Sequence, residues 1–67
     1  MLFKIMGKKG DAAVAYDLET AEMKFNELKE SNLIPFERAK PEGPIKKNDN
    51  FNPDAHEVIW FPRIGGG

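Results

Sequence analysis

The sequence predicts an α+β domain in which a mixed four-stranded sheet packs against one amphipathic helix, in the order ββαβ(β)β. Three observations carry that prediction. Two short stretches with strand character flank a glycine-bounded turn near the start. A single stretch from Leu18 onward repeats with helical period. A continuous apolar run, Val58, Ile59, Trp60 and Phe61, then stands close to the end.

Each element has a local cause. Residues 2–6 alternate as a strand does, with Phe3 and Ile5 on one face and Lys4 on the other. Gly7, Lys8, Lys9, Gly10 and Asp11 are turn chemistry, the glycines supplying positive φ. Residues 12–16 return as a second strand centred on Val14, and the pair forms a hairpin. Asp17 is an N-cap whose carboxylate accepts from the open N–H groups of a first helical turn. Leu18, Ala21, Phe25 and Leu28 then fall on one helical stripe, while Glu19, Glu22, Lys29 and Glu30 fall largely off it. Ser31 and Asn32 close the helix: Asn32 suits a left-handed C′ position, and Leu33 beyond it can meet Leu28.

Residues 33–38 read as a third strand with Ile34 and Phe36 inward. Pro35 has no N–H to donate, so this strand is expected to be irregular there or to lie at an edge. Residues 40–44 form a turn, and Ile45, Lys46 and Lys47 a short optional return strand. Turn-forming residues follow up to Pro53, with Phe51 as their anchor into the core. The last strand begins at Glu57, and its apolar run suits a central position beside the first strand. Pro62 stops its ladder. One domain over residues 1–62 and a flexible glycine tail over 63–67 account for the chain.

Composition narrows the function classes. With 67 residues the core is thin, and the chain has no cysteine to reinforce it. That lack also excludes thiol catalysis and cysteine-ligated metal, and it fits a reducing cytoplasm. Ten basic and eleven acidic residues leave no basic excess of the kind that binds nucleic acid or an anionic membrane. No apolar run approaches the roughly 20 residues of a membrane span. The expectation is a soluble cytoplasmic monomer with no nucleic-acid or membrane partner.

Catalytic equipment is sparse. His56, the only histidine, stands near Asp54 and Glu57, but a single histidine on a turn is ordinarily a solvated residue. Ser31, the only serine, fits a helix end, and the glycines at 7 and 10 are too close together for a phosphate loop. Neither catalytic residues nor a metal or other cofactor is expected, and the chain is not read as an enzyme. Lys8, Lys9, Lys46 and Lys47 with Phe36 or Tyr16 would be needed for a single-strand nucleic-acid surface, and plain solubility explains these lysines better. Trp60 belongs in the core if it faces the helix. Facing outward, it would join Phe36 as the anchor of a partner surface.

The sequence then runs Arg63, Ile64, Gly65, Gly66 and Gly67. A frayed end is the plainer reading of three glycines. Set after the ββαβ(β)β order, however, this tail resembles that of the ubiquitin-like β-grasp family, including small bacterial ubiquitin-like proteins with a terminal double glycine. The resemblance implies a protein modifier or carrier whose C-terminal glycine carboxylate is adenylated by an activating enzyme. From there it passes through a thioester to a lysine amine, with conjugation machinery as partner, or to a thiocarboxylate in a sulfur carrier. On that reading Gly66 or Gly67 reacts, and Gly65, Ile64 and Arg63 thread the approach. Glycine suits a narrow channel because it has no Cβ to clash. Arg63 offers a charge-assisted contact at the channel mouth, and Ile64 an apolar one. The rival expectation is a small non-covalent interaction module, such as a phage or operon-encoded adaptor, for which the tail is dispensable.

Overall fold

The computed structural model describes residues 1–6 and 12–63. The turn expected at 7–11 and the tail residues 64–67 lie outside them. The elements follow the expected order: β1 (Leu2–Ile5), β2 (Ala12–Ala15), α1 (Leu18–Glu30), β3 (Leu33–Arg38), β4 (Ile45–Lys47) and β5 (Glu57–Pro62). Ile45–Lys47 does form a strand, so the sheet has five strands where four were expected. Their order is β2-β1-β5-β3-β4. β1 and β5 run parallel and the other neighbours antiparallel, an arrangement consistent with a β-grasp-like fold.

The helix begins and ends as its caps dictate. The Asp17 carboxylate accepts from the Thr20 backbone N–H at 2.8 Å. That bond is the main reason its pKa falls below the usual aspartate range. At the other end Asn32 takes φ 68°, and its N–H donates to the Lys29 carbonyl at 3.2 Å, one of the two bonds of a Schellman stop. Leu28 and Leu33, on either side of that stop, both pack against the core.

The core lies between α1 and one face of the sheet. Phe3, Ala21, Phe25, Val58 and Trp60 are buried there. A series of rings runs through it, with centroid separations of 5.3 Å for Tyr16–Phe3, 5.8 Å for Phe3–Trp60, 5.1 Å for Trp60–Phe25 and 5.6 Å for Phe25–Phe51. These tilted and edge-to-face pairs each contribute about 0.5–1.5 kcal/mol beyond the area they bury. Leu18 departs from the expected stripe: it is 53% exposed, and the helix grips the sheet through Ala21 and Phe25.

β5 is central, as its apolar run predicts, and Val58, Ile59 and Trp60 are buried although they alternate between faces. Two prolines lie in this middle region, and the register explains why both are tolerated. The Pro35 carbonyl accepts from Asn48 N–H, so the nitrogen of Pro35 faces the β4 side. β4 pairs only with Phe36, Glu37 and Arg38, and no strand bond is lost at Pro35. The Trp60 carbonyl accepts from Met6 N–H, so Pro62, two residues on, turns its nitrogen toward the β1 side, beyond Ile5 where β1 ends. β3 is therefore an interior strand over its second half and an edge over its first.

Candidate functional site

Strand register assigns each side chain to a face. Directly paired residues share a face, so Leu33, Pro35 and Glu37 of β3 lie with Pro62, Trp60 and Val58 on the helix side. Ile34 and Phe36 lie with Phe61 and Ile59 on the opposite side. The expectation that Ile34 and Phe36 point into the main core is thereby corrected. β5 is apolar on both faces, so it does not dictate which set of β3 residues turns toward the helix.

A charged residue, Glu37, takes the inward position because the 48–54 segment satisfies it. Asn48 Nδ2 donates to one carboxylate oxygen, and Asn52 Nδ2 donates to the other at 2.8 Å. Each asparagine also holds a turn through its own oxygen, accepting from Asn50 N–H and Asp54 N–H at 3.0 Å. The Asn48 bond above all holds the Glu37 pKa below the usual glutamate range. The Asn52 bond and the charge of Lys46 act in the same sense, against the opposing effect of burial.

The face away from the helix carries an apolar floor with a charged cluster at one end. Ile59 is buried in that floor, and Ile34, Phe36 and Phe61 are half-buried. The Phe36 and Phe61 rings meet edge to face at 5.2 Å. Glu57 is only 3% exposed and lies opposite Arg38 in the register. Arg38 Nη1 donates to Glu57 Oε1 at 2.8 Å, and Lys4 Nζ lies 3.5 Å from Oε2. Two cations thus meet one buried anion. Among the described residues Arg38 Nε and Glu57 Oε2 have no hydrogen-bond partner.

Arg63 stands at the other end of this face, next after Pro62. It is exposed, and its N–H donates to the Asn32 carbonyl at 3.4 Å. Phe61 and its partner Ile34 lie one register step from that exit. Of the expected tail residues, Arg63 alone is described; Ile64, Gly65, Gly66 and Gly67 lie outside the described residues. Trp60 is 0% exposed beneath the helix and does not join a surface. Its neighbour Phe61, on the other face, takes that place beside Phe36.

Sequence reading missed Phe61, Ile34, Lys4, Arg38 and Glu57 as members of one face. The period-two signal was present in β1, β3 and β5, but only the register brings the three strands together. Of the groups weighed for a nucleic-acid surface, Lys8 and Lys9 lie outside the described residues, and the described ones do not converge. Tyr16 packs on Phe3 on the core side, whereas Phe36 is on the open face. Lys46 and Lys47 are consecutive strand residues and point to opposite faces. His56 is exposed, and among the described residues no cluster of three or more histidine, cysteine, aspartate or glutamate side chains could hold a metal ion. No helix of the described residues is long and apolar enough to cross a membrane. Comparison with known proteins finds no matching family model, no matching curated protein and no matching solved structure.

Proposed function

We propose that the chain is a ubiquitin-like protein modifier or carrier, activated at a glycine carboxylate by a partner enzyme. The observation that supports this most is the position of Arg63. It is exposed at the end of the sheet's central strand, and the sequence passes from it directly into Ile64, Gly65, Gly66 and Gly67. A handle on a central strand is held by neighbours on both sides, so a partner can pull it into a channel without peeling the sheet. Gly66 or Gly67 supplies the reacting carboxylate, native or released by a cut. Gly65, Ile64 and Arg63 form the threaded approach. The half-buried Phe61, next to the exit, and Phe36, packed against its ring, offer the partner an apolar surface to rest on while the tail is engaged.

One observation favours the non-covalent adaptor as a second reading. The open face combines an apolar floor with exposed parts of Lys4 and Arg38, which is a docking surface whether or not the tail reacts. Intact mass spectrometry from the native host separates the two, comparing the wild type with a variant lacking residues 65–67. Isopeptide-linked adducts, or the mass gain from exchanging one oxygen for sulfur, are expected for the wild type alone. A single unmodified species, with the shortened variant fully active, would overturn the modifier reading and leave the adaptor.

A further inference from the structure

The two edges of the sheet are built differently. β4 carries Lys46 and Lys47 in its three residues, the charge that ordinarily keeps an edge from pairing with another chain. β2 is Ala12, Ala13, Val14 and Ala15, all exposed, with neither charge nor proline. Tyr16 N–H and C=O both bond to Met1, so Val14 and Ala12, at the same parity, also turn their backbone groups toward β1. Ala13 and Ala15 therefore turn theirs outward, on the side where the sheet of the described residues ends. Val14, 45% exposed, stands between them on the helix side.

We propose that this edge pairs antiparallel with β2 of a second copy of the chain, forming a weak two-fold dimer with one continuous ten-stranded sheet. The reason for choosing a second copy is self-complementarity. A two-fold axis at Val14 sets Ala13 opposite Ala15 of the other copy, and each outward N–H meets an outward C=O. Four hydrogen bonds form, and the ladder on the β1 side stays intact. The same register sets Val14 against its own equivalent as a close non-hydrogen-bonded pair on one face, where two exposed β-branched side chains cover each other. Every residue of the patch thus meets a like residue, as a two-fold contact requires. Ten basic and eleven acidic residues give each copy almost no net charge, so long-range repulsion does not oppose the approach.

The edge is only four residues long, and Asp17, whose carboxylate is engaged by Thr20 N–H, bounds it. The buried area is therefore far below the roughly 1,200 Å² of a stable interface, so association is weak and shows only at high protein concentration. The inference does not rest on the modifier reading, since it uses neither the tail nor the open face.

The test is a concentration series on the full chain, with sedimentation for mass and ¹⁵N amide spectra for location. The mass is expected to rise from 7.6 kDa toward twice that value. The amides of Ala13 and Ala15 should shift with concentration while that of Val14, already bonded to β1, moves little. Val14→Lys puts two ammonium groups face to face and is expected to weaken association at least about tenfold. Ala13→Pro removes an outward donor only and should do the same, so the result does not hang on one variant remaining folded. A monomer throughout would overturn the proposal and leave the edge to some other extended segment. So would a dimer whose shifts map to Ile34, Phe36 and Phe61, or one unaffected by either substitution.

Discussion

The helix side and the open side of the sheet are both partly apolar, yet they are closed by different means. On the helix side Trp60, Phe3 and Phe25 interlock, and the 48–54 segment is tied over Glu37 by two asparagines. On the open side no element covers Phe36 and Phe61 among the described residues, and the buried Glu57 depends on two long cationic side chains reaching over it. The first closure is mainly dispersion and hydrophobic burial, insensitive to salt. The second is mainly electrostatic; among the described residues it leaves Arg38 Nε and Glu57 Oε2 without a hydrogen-bond partner, as the first leaves Trp60 Nε1. A thin domain cannot bury both faces. This chain places its stability on one and leaves the other as surface.

That contrast predicts unequal responses to substitution. Trp60→Ala, which opens the helix-side core, is expected to cost about 3–5 kcal/mol in urea unfolding, enough to leave a domain of this size largely unfolded. A loss under 1 kcal/mol would mean that the two faces do not differ as described. Arg38→Ala leaves Glu57 buried with only Lys4 nearby. Because Arg38 is a quarter exposed, a loss of about 1–3 kcal/mol is expected, below that of a fully buried pair. The same variant should be less sensitive to added salt than the wild type, which is the sharper check on the electrostatic closure. Phe36→Ala, on the open face, is expected to cost about 1–2 kcal/mol and to weaken any partner that docks there. Stability and binding are to be measured on the same preparation, and an unchanged affinity would move the docking surface elsewhere.

The smallest effect is expected at Glu37. Glu37→Gln loses one of the two asparagine bonds, for about 1 kcal/mol at neutral pH. Its pH dependence is more informative than its size. The folded carboxyl has a depressed pKa, so its contribution is complete above the unfolded value of roughly 4.3 and is lost as pH falls through the lower folded value. The gap between wild type and variant should therefore close in acid. A gap that widens there would mean that the asparagines bind the protonated carboxyl.

Much of the fold was legible from local chemistry. The Asp17 cap, the Asn32 stop and the helical stripe are decided within a few residues, and the helix and each expected strand are present. Leu18 was misplaced because a stripe gives the direction of a helix face but not how far the sheet extends beneath it. The position of Pro35 was half legible: its missing donor demanded an unpaired side, and the three-residue β4 provides one within an interior strand.

The sequence by itself determined which segments become strand or helix, that Val58 to Phe61 would occupy the middle of the sheet, and that Arg63 would follow that strand. These depend on period, capping and the buried run, all written over short spans. Only the tertiary structure decided which side of β3 meets the helix. Alternation defines two sets of side chains without ranking them, and β5 accepts either. The choice turned on Asn48 and Asn52, more than ten residues away in sequence, whose donors made Glu37 acceptable inside. Ile34 and Phe36 were thereby left on the surface beside Phe61.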